Sequence, residues 1–383
     1  MKSYYIDKKK LVCPITKSKK FEKIFSIKKF PIYMGTIDKK QKYLFKSLNF
    51  LINKESGSVQ IFPRVDLKKL YFKSHGSGKI GNVWQNHHKK FYSFLGIKNK
   101  NNIIEIGGGH NPISAKLLIK KKKASLTSFD PNGKPSNVPG HTTVKDFFHD
   151  NLIKKYNLKN KFDLAIHSHL FEHIYEAENF LKAIYLSLKP NGMHIFAVPN
   201  MKPMIKKGIA SAMNFEHPFY LDESTIQFLL NKNGFKILKK KYFGKSHSIF
   251  YKTKKISPSK NLVVKNYYNS NFKIFKRLNF NWKKDIKLIN KKIKNKKHIY
   301  LFGAHIFSQM LLFNGLNKNK ILNILDNDPD KQGGYLYGTD IQVLSPKILK
   351  KSYQPIVILR AGEYNFEIKK DIIQNINKHT KFI

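Results

Sequence analysis

The chain has 383 residues, 41% of them hydrophobic and 13% aromatic, enough for about two or three domains with sizeable cores, which excludes a disordered or collagen-like protein. A formal charge of +49 and a pI near 10.0 invite a polyanion partner. Only Arg64, Arg277 and Arg360 are arginine, however, and the lysines run from end to end instead of along one stripe, whereas base and phosphate readers favour the planar fork of Arg.

In chain order, the start MKSYYIDKKK lacks the apolar stretch of a secretory signal. No apolar run approaches the ~18 residues needed to cross a bilayer. The single cysteine, Cys13, excludes an intramolecular disulfide and any zinc site with two or more thiolates, and it fits a reducing compartment. A cytoplasmic protein without membrane insertion is therefore expected. Residues 11–71 mix short apolar runs with lysine and show no helical period, predicting a small irregular module within residues 1–85.

From residue 101 the pattern changes. Ile104-Glu105-Ile106-Gly107-Gly108-Gly109 predicts a strand running into a glycine turn, 113–120 a helix, 125–129 a strand and 162–168 a buried strand. ENFLKAIYLSL has helical spacing, KPNG predicts a turn and MHIFAVP the next strand. A helix near 222–233 and the runs FKILKKKYF and HSIFYKT, separated by Gly244, complete a mostly parallel sheet over residues 86–255. The stretch 256–260 reads as a linker, and a Lys-rich helical segment runs on to about residue 297. HIYLFG, a helix through Phe313, ILNILD, a loop with Gly333, Gly334 and Gly338, and PIVILR then predict a second nucleotide-fold-like domain over 262–383.

The glycine turn admits two kinds of ligand. The dinucleotide template G-x-G-x-x-G is broken by Pro112. S-adenosylmethionine needs no pyrophosphate cradle; Glu105 before the glycines can face its ammonium group, and Asp130 ends the next strand at the spacing of a ribose-binding acid.

IIEIGGGHNP, SFDPN, FDLAIHSHLFEHI, LKPNGMHIFAVPN and NFEHPFYLDESTIQFLLNKNGF, followed by LDNDPDKQGGYLYGTDIQVLSP and VILRAGEYNFEI, resemble the successive motifs of the nucleotide-sugar C-methyltransferases, class I S-adenosylmethionine-dependent enzymes. The resemblance covers nearly the whole chain. It implies an α/β protein in which a class I methyltransferase Rossmann-like sheet is flanked by a small N-terminal zinc-type module and a second C-terminal Rossmann-like domain. The implied activity is methylation of a nucleotide-linked sugar, at a carbon beside a keto group. Cofactor contacts are expected at Glu105, Gly107, Gly108, Gly109, Asp130, Asp146, Phe147, Ser168 and His169.

The zinc module departs from the family. Its four ligand positions fall on Cys13, Thr16, Asn53 and Ser56, and one thiolate among neutral oxygens does not hold tetrahedral zinc, so no zinc is expected there and apolar burial alone is expected to hold the module.

His167, His169 and His173 lie at and beyond the end of a predicted strand, the edge where open α/β sheets bind ligands. His169 is expected to line the cofactor and His173 to face the substrate. The spacing His169, Glu172, His173 also invites a metal, but a third ligand is not identifiable and none is expected. Glu216-His217 resembles the family's Glu-His pair, implying that His217 removes a proton alpha to a ketone while Glu216 orients it. The family's tyrosine two positions before that Glu is here Asn214; Tyr71, Tyr220 or Ser74 can supply a hydroxyl instead. The run SHGSGKIGNVW, followed by His87 and His88, corresponds in place to a substrate-contacting segment. Methylation of oxygen or nitrogen, RNA binding and a non-catalytic scaffold stay open as alternatives.

Overall fold

The computed structural model describes residues 11–71, 81–97, 101–108, 124–259 and 262–383. The N-terminal segment is more regular than its sequence suggests. Strands β1 (Phe21–Pro31), β2 (Thr36–Ile37), β3 (Phe45–Asn53) and β4 (Val59–Phe62) precede a one-turn helix α1 (Leu67–Leu70). β1, β3 and β4 form an antiparallel sheet. Irregularities between Lys23 and Phe25 and between Ile27 and Phe30 shift the register. They break the period-two alternation by which a strand is read. Apolar burial does not act alone here: Cys13 Sγ lies 3.2 Å from Ser56 Oγ and 3.3 Å from Ser58 Oγ. Ser56 Oγ donates to Asn53 Oδ1 at 3.2 Å, and Thr16 Oγ1 donates to the same oxygen at 3.5 Å. Cys13, Thr16, Asn53 and Ser56 thus converge on one hydrogen-bonded cluster.

Helix α2 (Asn82–Leu95) ends on Gly96 in the left-handed region, as helix C-termini favour. The elements that follow are β5 (Asn102–Ile106), β6 (Ser125–Phe129), β7 (His141–Val144), α3 (Asn151–Lys155), β8 (Phe162–Ser168), α4 (Ala177–Ser187), β9 (Leu188–Pro199) and α5 (Met201–Lys206). Then come α6 (Glu223–Lys232), capped by Asp222 accepting from Thr225 N at 2.9 Å, β10 (Phe235–Phe243) and β11 (Ser248–Lys255). They build a seven-stranded mixed sheet, ordered β10-β11-β9-β8-β5-β6-β7, in which β11 pairs antiparallel with both β9 and β10. KPNG is not a turn. It is the start of β9, where extra residues opposite Phe162 and Leu164 bulge out and Asn191 takes φ +60. The helix expected at 113–120 lies outside the described residues.

The last third begins with α7 (Tyr268–Ile293) and continues through β12 (Ile299–Phe302), α8 (Ile306–Phe313), β13 (Ile321–Leu325), β14 (Tyr335–Leu336), β15 (Val343–Leu344), β16 (Ile356–Leu359), α9 (Asn365–Asp371) and β17 (Lys381–Phe382). Its parallel sheet is ordered β15-β13-β12-β16-β17, while β14 pairs with β2 of the N-terminal segment. α7 belongs to two cores. Phe275, Leu278 and Trp282 pack with the N-terminal strands and the central sheet, and Ile286, Ile289 and Ile293 with the C-terminal sheet. Arg360 clamps that second half, donating from Nε and Nη2 to Asp285 at 2.6 and 2.8 Å. Among the described residues no helix is long and apolar enough to cross a membrane.

Candidate active site

A cleft of about 1010 Å³ runs between the C-terminal edge of the central sheet and that of the C-terminal sheet. On the central side it is lined by Glu105, Gly107, Gly108, Ser168, His169, His173, Glu216 and His217. Gly107 has φ +74 and donates its N–H to Phe129 O at 2.8 Å, which ties the turn to the next strand. A Cβ on Gly108 would come within 2.7 Å of Glu105 Oε2, so a hydrogen is required where the carboxylate passes beneath the turn. Glu105 accepts from Ser128 Oγ at 3.2 Å. Asp130, at the end of β6, accepts from Asn132 N at 2.8 Å. The buried Ser168 Oγ has no hydrogen-bond partner and lines the cleft. Two acids flanking a glycine turn, with an unsatisfied hydroxyl beside it, fit S-adenosylmethionine. Gly109 lies outside the described residues.

The remaining expected cofactor residues, Asp146 and Phe147, follow β7 at the far edge of the sheet. Asp146 pairs with Lys155 at 3.1 Å, and Phe147 is exposed. Neither lines the cleft, and Asp130 likewise stands outside its lining.

Beyond the glycine turn, three side chains and a backbone carbonyl form one hydrogen-bonded chain. Tyr71 OH lies 2.7 Å from His173 Nδ1, His173 Nε2 lies 3.3 Å from His217 Nε2, and His217 Nδ1 lies 2.7 Å from Ser211 O. One set of tautomers satisfies every link. The Ser211 carbonyl accepts only, so His217 Nδ1 carries its proton and Nε2 its lone pair; His173 then donates from Nε2 and accepts from Tyr71 at Nδ1. The carbonyl of Ser211, rather than the carboxyl of Glu216, thus holds the His217 ring. Burial pushes Glu216 up to about 8 and Glu172 up to about 7, and it lowers His217, which Glu172 partly offsets.

These carboxyl groups fix a pH dependence. Their folded pKa values lie above the ordinary ~4.3 of a glutamic acid, so between those values the folded state binds more protons and loses stability as pH rises. Below ~6.5 the buried neutral imidazoles act oppositely, since they charge on unfolding. Above it the imidazoles no longer titrate on unfolding, while the carboxyl groups still do. Melting temperature is expected to fall from about pH 6.5 to 8.5, and Glu216→Gln to flatten that slope; an unchanged slope in the variant would show that Glu216 titrates normally.

Other expected substrate residues sit elsewhere. Asn214 Oδ1 accepts from Glu216 N at 2.7 Å and His217 N at 3.2 Å, shaping the loop from below. Tyr220 is buried against Phe275 and does not line the cleft. His87 is fully buried behind the cleft wall among Phe91, Phe243 and Phe250, so it is not a substrate contact. His167 lies inside β8, 2.9 Å from His194 Nε2 and away from the cleft. Ser74 lies outside the described residues.

The C-terminal side supplies residues not foreseen individually. Gly303, at φ +101, turns β12 toward α8, and Asp326 at the end of β13 accepts from Ala304 N at 2.7 Å. Gly303 and Asp326 stand twenty-three positions apart, as do Gly107 and Asp130; that repeated spacing was the available signal. Lys331, 3.4 Å from Asp326 Oδ2, adds a cation on the same side.

Residues 84–240 match a family described as a methyltransferase domain, and residues 265–383 one described as a C-methyltransferase C-terminal domain. No curated relative matches. Among solved structures, the Burkholderia thailandensis 1,6-didemethyltoxoflavin-N1-methyltransferase with bound S-adenosylhomocysteine is 14% identical, with 52% of this chain and 96% of that one covered at a TM-score of 0.38. A SAM-dependent methyltransferase from Aquifex aeolicus is 13% identical, covering 50% and 100% at 0.36, and one from Mesorhizobium loti 11% identical, covering 44% and 96% at 0.36. With one family match on each of the two sheets that face the cleft, the chain carries a methyltransferase domain followed by a C-methyltransferase C-terminal domain.

Proposed function

We propose that this methyltransferase acts on a nucleotide-linked sugar, at a carbon next to a keto group. The observation that supports this most is the pairing, across one cleft, of the cofactor turn with a second glycine turn and strand-end acid on the C-terminal sheet, the pattern that open α/β sheets use for nucleotides. Of the Tyr71–His173–His217 chain, His173 and His217 lie between the two turns in sequence and line the same cleft.

S-adenosylmethionine, when bound, supplies a methyl group already activated on a sulfonium. Glu105, Gly107, Gly108, Gly109, Asp130 and Ser168 hold it in this reading, with His169 at its side. His217 Nε2 is the base: as His173 turns its Nε2–H from that nitrogen to the substrate's carbonyl oxygen, the freed lone pair takes the proton alpha to the ketone, and Nδ1–H stays on Ser211 O. His173, bridged to Tyr71, then faces the developing enolate as a donor and supports its charge. Glu172, close to the same nitrogens, stabilises His217 once it is protonated.

Asp130→Ala is expected to weaken S-adenosylmethionine binding by about 1–3 kcal/mol through loss of charge-assisted hydrogen bonds, as read by calorimetry. An unchanged affinity would remove Asp130 from the cofactor site. The substrate reading is tested by incubating a panel of nucleotide-sugars with methyl-labelled cofactor and locating the label by mass spectrometry and NMR. A label on carbon supports it. A label on oxygen or nitrogen replaces it with heteroatom methylation, and no labelled nucleotide-sugar overturns the substrate class.

A further inference from the structure

Beside the proton-handling chain lies a second cluster of imidazoles. His87 comes from α2, His169 from the end of β8 and His247 from the turn before β11, and each offers a nitrogen within 4.8 Å of the other two. Their ring centroids stand 5.1, 5.3 and 5.7 Å apart. That is close to the ~5 Å imposed when three imidazoles each reach ~2.0–2.1 Å to one tetrahedral ion. Trp84 packs edge to face against all three, at 5.2, 4.9 and 4.8 Å.

His87 is the member that ordinary packing does not explain. It is fully buried among phenylalanines, and neither ring nitrogen has a hydrogen-bond partner. A phenylalanine would fill that space without desolvating two polar atoms. Ser248 Oγ bridges the other two rings, 2.8 Å from His169 Nε2 and 2.6 Å from His247 Nδ1, hydrogen bonds that an ion between those nitrogens would replace. Behind His169, Glu172 Oε1 lies 3.4 Å from Nδ1, the carboxylate–histidine arrangement that orients metal-bound imidazoles.

We propose that His87, His169 and His247 form a binding site for a divalent transition-metal ion of the zinc type at the base of the cleft. The donor set suits such an ion, since three neutral imidazoles favour borderline cations over calcium or magnesium. A neutral imidazole offers its ring lone pair to such an ion at neutral pH. His169 and His247 line the cleft while His87 stands behind them, so the fourth position opens on the cleft. The motif His169, Glu172, His173 thus gains its missing ligands from distant stretches of chain, with Glu172 in the outer shell and His173 left to Tyr71 and His217. The ion would tie α2 and the β10–β11 hairpin to the end of β8, beside the cofactor.

The test is titration of chelator-treated full-length protein with cobalt(II), followed by the visible d–d absorption of a tetrahedral site and by competition with zinc. One equivalent is expected to bind. His87→Phe, which suits the aromatic surroundings, and His247→Ala are each expected to weaken it by more than the ~10- to 100-fold that loss of an outer-shell partner costs. Cys13→Ser and His217→Asn are expected to leave the band intact, which separates this site from the N-terminal cluster and from Glu172, His173 and His217. Circular dichroism melting shows which variants fold, and either of the two ligand variants suffices. No tetrahedral band in the wild type, a band that survives in a folded ligand variant, or one lost in Cys13→Ser or His217→Asn overturns the proposal.

Discussion

His217→Ala is expected to lower turnover by the ~100- to 10,000-fold typical of general-base removal while leaving S-adenosylmethionine affinity nearly unchanged. A carbon acceptor has no lone pair until its proton leaves, so in the proposed mechanism no positioning of the activated methyl group substitutes for the base. His217→Asn is expected to lose as much, since an amide keeps the polarity and removes the basic nitrogen. Glu216→Gln is expected to lose less. Its carboxyl, pushed up to about 8, is mostly protonated at neutral pH, and the ring of His217 is held by the Ser211 carbonyl instead. Solvent deuterium exchange at the carbon alpha to the ketone is the sharper measurement, because it reads proton removal without methyl transfer. Wild type should exchange and both His217 variants should not. Methylation by His217→Ala at the wild-type rate would show that the acceptor brings its own lone pair.

The same loop shows where reading the sequence stops. The strand into Gly107 and the strand into Gly303 were both legible, because a short apolar run broken by glycine is a local signal whose fold follows from backbone sterics. The Glu216-His217 pair was legible by resemblance. Its orientation was not, since the acceptor is a backbone carbonyl six residues earlier in the chain, at Ser211, and a carbonyl leaves no mark in composition. His87 was misplaced for another reason. Its position depends on how α2 packs on β11, where Phe91 and Phe250 close around it. The N-terminal meander was missed because its bulges break the alternation of β1. The convergence of Cys13, Thr16, Asn53 and Ser56 had been implied only by family resemblance. Their contacts, a thiol against a serine hydroxyl and two hydroxyls donating to one amide oxygen, required coordinates.

Trp282→Ala is expected to cost about 3–5 kcal/mol of folding stability, the range for removing a large aromatic side chain from a core. The indole packs against Phe25 of β1 and Phe50 of β3, with ring centroids 6.1 and 6.3 Å away. Its Nε1 donates to Gly208 O at 2.7 Å, in the loop that follows α5. One side chain therefore joins the N-terminal sheet, the central unit and the helix that carries the C-terminal sheet. Trp282→Phe separates the two contributions. It retains most of the ring contact and leaves the Gly208 carbonyl without its donor, so it should cost about 1–3 kcal/mol. Urea unfolding followed by circular dichroism measures both. The active site should respond as well, because Gly208 is three residues from Ser211, whose carbonyl sets the tautomer of His217. In Trp282→Ala, turnover should therefore fall further than cofactor affinity does, even at temperatures where the variant is folded. A loss of less than about 1 kcal/mol would mean that the cores on either side of α7 hold together without the indole, and that neighbouring side chains close the gap it leaves.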